Sequence, residues 1–263
     1  MRSPLVQAMI AASRAGARVL LDGFAQLPTL AVSEKGPSDF VSQADLRSEA
    51  AIKAELGAFD PAAGFQAEET ELDRVSAGRR FIIDPLDGTT NFLRGIPHFA
   101  VTIAYADESG VVAGVVLDPS RDEIFWAERG VGAFLGDRRL ATTTRTSLED
   151  AVIHTGVPHR GRGDHDAYLR QLRTVMASVA GVRRMGAAAL DFAYVSAGRG
   201  DGFFELGLAP WDMAAGILLG REAGGVVTDY SGGDAMTERR EVVAAAAGVH
   251  APLLGAVGIR KPG

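Results

Sequence analysis

The chain has 263 residues, 47% hydrophobic and 23% charged, with 27 Lys and Arg against 33 Asp and Glu for a net charge of −6 at pH 7. That is the composition of a folded protein at the length where one core stops growing and a second, tightly packed lobe is expected, and it excludes a disordered chain. The acidic balance gives no footprint for a nucleic-acid backbone, so an anionic substrate would be met locally and with a cation's help, while the lack of cysteine excludes disulfides, thiolate metal sites and a cysteine nucleophile.

At the N-terminus, Val6, Met9, Ile10, Ala17, Leu20 and Leu21 fall at helical spacing, and Arg14 and Arg18 interrupt the apolar run that a signal peptide needs, so an amphipathic helix is expected. Lys35 to Asp39 (KGPSD) is a turn-rich break, and Ser42 with Asp45 opens a second helix, in the manner of a capping box, through about Leu56. A loop ending in AEET follows. From Phe81 to Trp126 the runs FII, FAVTIAYA, GVVAGVVLD and DEIFWAE are rich in β-formers and are separated by DPLDGTTN, DESG and DPSR, which predicts strands and hairpins. The stretch ATTTRTS at 141–147 is the plausible seam between an α+β half, residues 1–147, and an α/β half, residues 148–263. In that second half AVIHTG, VRRMG, DGFFEL and GGVVTD read as strands, alternating with helices over Asp164–Val179, Ala187–Ala197 and Trp211–Ala223, the pattern of a layered α/β unit. No run approaches the ~18 apolar residues that span a membrane, and the cytoplasm is the expected compartment.

Three segments carry candidate chemistry. In FIIDPLDGTTN an apolar run meets Asp84, Pro85 fixes the next φ, and Gly88 permits a tight turn after Asp87. Taken alone the segment fits a hairpin corner. It equally fits two carboxylates three residues apart, with the Leu86 carbonyl between them, converging on a hard divalent cation, while Gly88, Thr89 and Thr90 offer backbone amides to a phosphate. The pair Glu68 and Glu69 in FQAEET reads alone as a solvated face, and Asp212 in PWDMAAGILL reads alone as a helix-cap residue.

In this order, and together with KGPSDFVSQAD, GIPHFAVTIA and RRMGAAALDFAYVSAGRGDGFFELGLAPWD, these segments resemble the inositol monophosphatase family of magnesium-dependent, lithium-sensitive sugar phosphatases over nearly the whole chain. The resemblance implies an α/β fold, a layered αβαβα sandwich. It implies Mg2+ held by Glu68, Asp84, the Leu86 carbonyl, Asp87 and Asp212, with the amides of Gly88 and Thr89 cradling phosphate. It further implies that Glu68 and Thr89 position the attacking water, that Asp45 accepts a hydrogen bond from Thr89, and that Glu205 bonds substrate hydroxyls in a pocket also lined by Ala188, Asp87 and Asp212. Two departures leave the catalytic groups in place: Ala67 stands where the family usually has glycine, and VVAAAAGVH lacks the Asn-Pro often seen in relatives.

The expected activity is hydrolysis of the small-molecule monoester myo-inositol monophosphate by a metal-activated water, with no covalent intermediate. Thr90-Asn91 favours this substrate within the superfamily; fructose 1,6-bisphosphate and histidinol phosphate are the alternatives, and a non-catalytic protein acting through a partner is the rival reading. No membrane or direct nucleic-acid partner is expected, and a homodimer is. His98, His154, His159, His165 and His250 lack zinc spacing and read as structural or exposed. Arg183 and Arg184 are expected at an interface or in salt bridges rather than as a phosphate clamp.

Overall fold

The computed structural model describes residues 2–26, 32–34, 40–70, 78–159 and 163–258; the KGPSD break lies outside them. Ser3 caps α1 (Pro4–Phe24), its hydroxyl oxygen accepting the Val6 amide at 3.2 Å. The antiparallel pair β1 (Val32–Glu34) and β2 (Phe40–Ser42) leads into α2 (Gln43–Phe59). Then come β3 (Gly64–Ala67), β4 (Arg80–Asp87), the short α3 (Thr89–Leu93), and a meander of β5 (Ala100–Asp107), β6 (Gly110–Asp118), β7 (Glu123–Glu128), β8 (Gly132–Leu135) and β9 (Arg138–Arg139). These strands form a seven-stranded sheet in sequence order, parallel only between β3 and β4.

After residues 141–151 the chain alternates: β10 (Val152–Thr155), α4 (His165–Met176), β11 (Gly181–Arg183), α5 (Ala188–Ser196), β12 (Gly202–Leu206), α6 (Pro210–Glu222), β13 (Gly225–Thr228), α7 (Met236–Arg239), β14 (Glu241–Ala246) and α8 (Ala247–Val257). The five strands order as β11-β10-β12-β14-β13, with β10 parallel to both neighbours and β14 antiparallel to both of its own.

Five layers result. Helices α1 and α2 cover one face of the seven-stranded sheet, α5 and α6 fill the space between the two sheets, and α8 with α4 closes the far side of the smaller one. Each interface has its own apolar cluster, anchored in turn by Phe81, Phe92 and Phe99; by Phe125 and Leu190; by Phe192 and Phe203; and by Ile153 and Phe204. This is the αβαβα sandwich expected. It explains why α5 and α6 are apolar on nearly every side, since a helix with a sheet on each face has no solvent stripe.

The elements β1, β2, β8, β9, α7, β14 and α8 are not among those expected, and others differ from expectation. Residues 64–67 are a strand, not a loop, because they pair in parallel with β4 at the sheet edge. Strand β4 does not stop at Asp84: Pro85 and Leu86 are absorbed in an irregularity, after which Asp87 pairs again with Ala100. Helix α2 runs on to Phe59. On α1, Leu21 is 42% exposed and lies off the buried stripe of Val6, Met9, Ile10, Ala17 and Leu20. Among the described residues no helix is long and apolar enough to cross a membrane.

The stretch 141–147 runs between the sheets' ends and is pinned to the second one. The Thr142 amide donates to Ala223 at 3.0 Å, while Thr143 and Arg145 both reach the buried Asp201 carboxylate, at 2.6 and 3.1 Å.

Candidate active site

The site forms where the irregular end of β4, the exit of β3 and the N-termini of α5 and α6 meet. Asp84 is buried, and its Oδ1 accepts the Leu86 amide at 2.9 Å, which curls the Asp-Pro-Leu turn onto itself. Gly88 then takes φ +90°, a left-handed conformation in which a Cβ would also approach the His98 carbonyl to 3.1 Å, so glycine is required there. Its outcome is not a hairpin: the chain turns into α3, whose first amides have no partner within the helix and whose first residues, Thr89 and Thr90, line the cavity. The Thr89 hydroxyl donates to the Leu86 carbonyl at 3.0 Å. Asp45, which the resemblance pairs with Thr89, is buried in the first turn of α2.

The second sheet's helices supply the opposite wall. Asp87 Oδ2 accepts the Ala189 amide at 2.8 Å, an anion at the start of α5 where the helix dipole favours one. Asp212, the third residue of α6, accepts the Ala209 amide at 2.7 Å and so acts as the cap residue its local sequence suggested, while also lining the cavity. Asn91 ties the walls together, its Nδ2 donating to the carbonyls of His98 at 2.8 Å and Met185 at 2.9 Å.

The enclosed space is a cavity of about 680 Å3. Every expected site residue except Asp45 lines it. Glu68 is exposed at its mouth, Ala188 is buried at the start of α5, and Glu205, near the end of β12, is half-buried in the wall beside Gly156. Arg184 also lines the cavity, where its charge opposes the upward pull on the Asp191 and Glu205 carboxyls. No ion pair of Arg184 is among the contacts described, and Arg183 is exposed and bonds only its neighbour Val182's carbonyl among them, at 3.0 Å.

Electrostatically the cavity is strained by its own carboxylates. Burial raises Asp84 well above the ordinary carboxylate range, and the charges of Glu68, Asp87 and Asp212 raise it further. Burial, then Asp212, raises Asp87 in the same way, against the Ala189 amide. Glu205 is raised by burial first and then by Asp191, Asp212 and Asp87. Such a set of oxygen donors suits a hard cation, whose charge would relieve the repulsion. Among the described residues no three acidic or histidine side chains stand closed into a cage as they are, and Asp84, Asp87 and Asp212 each give one oxygen to a backbone amide.

Sequence reasoning missed Asp191. It is buried in the apolar run AALDFAYV, lines the cavity, and bonds His154 Nδ1 at 2.6 Å; a carboxylate inside an otherwise apolar helix was the available signal. Of the other histidines, His98 and His250 are buried and His159 and His165 exposed.

A five-layer α/β fold with an acidic cavity where its two sheets' helices converge defines the class, a layered αβαβα sandwich with carboxylates gathered between its sheets. The chain belongs to the inositol monophosphatase family, a family of metal-dependent phosphatases, whose sequence profile matches residues 1–258. It is 52% identical to the inositol-1-monophosphatase of Rhizobium meliloti (strain 1021) over 243 residues, 92% of this chain and 91% of that one. It is 43% identical over 246 residues to the Nus factor SuhB of Pseudomonas aeruginosa, covering 92% of this chain and 91% of the relative. The crystal structure of the extragenic suppressor protein suhB from Bartonella henselae superposes with a TM-score of 0.95 at 48% identity, over 99% of this chain and 100% of that one.

Proposed function

We propose that the protein hydrolyses myo-inositol monophosphate to inositol and phosphate, with Mg2+ as cofactor and water as nucleophile. The observation that carries the reading is the convergence of Glu68, Asp84, Asp87 and Asp212 on one cavity, where burial and mutual charge hold the Asp84 and Asp87 carboxyls high. Bound there, Mg2+ would neutralise phosphoryl oxygens and make a water more acidic.

The chain's own groups do the rest. With its proton committed to the Leu86 carbonyl, the Thr89 oxygen presents lone pairs that accept from the attacking water, and Glu68 holds the same water from the cavity mouth. Gly88 and Thr89 offer amides to the phosphate. Asp45, which the resemblance makes the acceptor for Thr89, lies buried in the first turn of α2. On the alcohol side Glu205 accepts from ring hydroxyls, and Ala188 leaves room for the ring because it carries nothing beyond Cβ. Fructose 1,6-bisphosphate and histidinol phosphate remain the alternative substrates. Inhibition by lithium and a homodimer belong to the same reading and rest on the resemblance, while a cytoplasmic location remains the expectation drawn from the sequence.

The test is phosphate release from a panel of inositol phosphates, fructose 1,6-bisphosphate, histidinol phosphate and adenosine 3′,5′-bisphosphate, with Mg2+ and with excess chelator. Inositol monophosphate should be turned over best, and only with Mg2+. Undiminished turnover in chelator would overturn the metal reading. No turnover of any ester would favour the partner-based role that the name of the Pseudomonas aeruginosa relative suggests.

A further inference from the structure

Glu68, exposed at the cavity mouth, is held from two sides through its backbone and its neighbours. Its amide continues the sheet pairing, donating to the Ile83 carbonyl at 3.2 Å, so one side of the residue is tied to β4 next to Asp84. The other side is tied to α2. Glu49, 1% exposed, accepts the Glu69 amide on Oε2 at 2.9 Å and the Thr70 hydroxyl on Oε1 at 2.6 Å. Lys53, one helical turn on, pairs with the same Oε1 at 2.9 Å and also bonds the Thr70 hydroxyl oxygen. The preceding residue, Ser48, donates its hydroxyl to the Pro85 carbonyl at 3.1 Å, inside the turn between Asp84 and Asp87.

A buried carboxylate is tolerated only with a full set of donors, and Glu49 has an amide, a hydroxyl and an ammonium. Neither the amide nor the hydroxyl comes from its own helix; both belong to the segment just after Glu68. Adjacent residues of α2 therefore hold the two carboxylate-bearing segments in register, Ser48 the turn of β4 and Glu49 the exit of β3. We infer that Glu49 is a positioning residue for Glu68, fixing the β3 exit so that the Glu68 carboxylate is ordered before a divalent cation arrives. The inference rests on the proposed role of Glu68 as a cation ligand. A ligand already held loses less freedom on binding, and removing the partners that orient metal ligands costs about 10–100-fold in metal affinity.

The experiment measures Mn2+ binding to the full-length protein by electron paramagnetic resonance, with amide hydrogen exchange in chelator and thermal melting alongside. Glu49→Ala should expose the Glu69 amide to faster exchange and weaken Mn2+ binding about 10–100-fold. Glu49→Gln keeps the volume and one oxygen acceptor, so it should give a smaller loss of the same sign, and it carries the test if the alanine variant does not fold. In a Glu68→Gln background, Glu49→Ala should cost almost nothing further, because its effect passes through the missing carboxylate. A purely structural role would lower the melting temperature and leave Mn2+ affinity alone. That result, or an equal loss with and without Glu68, overturns the inference while the metal reading stands. A wild-type protein that binds no Mn2+ overturns the metal reading and the inference with it.

Discussion

Glycine 156 is the sharpest handle on substrate discrimination. A Cβ built on it would lie 1.8 Å from Glu205 Oε1 and 1.9 Å from its Cδ, where ordinary contact begins near 3.4 Å. Gly156→Ala therefore forces the Glu205 carboxyl to retreat by about 1.6 Å, the difference between 3.4 and 1.8 Å. The clash is with the end of a flexible side chain, and Gly156 has no left-handed φ, so the backbone accepts alanine and the fold should survive. A misplacement of about 1 Å in a positioned group can cost about 10²-fold. The expected result is a fall of that order in kcat/KM for inositol monophosphate, with 4-nitrophenyl phosphate, which has no ring hydroxyls, little affected. Glu205→Gln should show the same selective loss, at about 1–3 kcal/mol for a hydroxyl left unpaired. Equal losses on both esters, or a shifted Mg2+ requirement, would refute the assignment of Glu205 to the alcohol.

Glu205→Gln also makes a stability prediction in metal-free protein. The folded-state carboxyl is raised above its unfolded value by burial, so below the unfolded value of about 4.5 both states are protonated and the variant gains nothing. As pH rises past that point the unfolded chain releases its proton first and the wild type loses stability, by at most about 1.4 kcal/mol per pH unit, until the folded carboxyl ionises. The melting temperature of Glu205→Gln in chelator should thus draw ahead of wild type as pH rises above about 4.5; parallel curves would contradict a raised carboxyl. Asp84→Asn and Asp87→Asn keep side-chain volume and remove charge from the same crowded site, so both should fold and lose turnover at saturating Mg2+, and near-wild-type turnover in either would remove it from the ligand set. Thr89→Ala should lower kcat by ~10² with Mg2+ affinity little changed, as a titration of rate against Mg2+ would show.

The sequence by itself determined which residue types the site could use and most of the elements that bear them. The spacing of Val6, Met9, Ile10 and Leu20 fixed a helix, and the alternation after residue 151 fixed a layered α/β unit, because these are local periodicities. DPLDGTTN could be read as a carboxylate-bearing turn because Pro85 and Gly88 restrict or free φ within the segment itself. Only the tertiary structure decided the rest. Residues 64–67 carry a weak strand pattern and become β3 by pairing with β4, a partner distant in sequence. Asp87 gains its amide partner from α5, 102 residues along the chain, and Glu49 gains its own from a segment 20 residues on that leaves a different element. Asp191 is recognisable as a cavity carboxylate only once α5 lies between two sheets with its first turn facing Glu205 and Asp87. Periodicity records the solvent and core faces of a single element. It holds no record of which loop a buried carboxylate will meet, since that depends on how the layers stack and on which donors then stand close enough to offset its lost hydration.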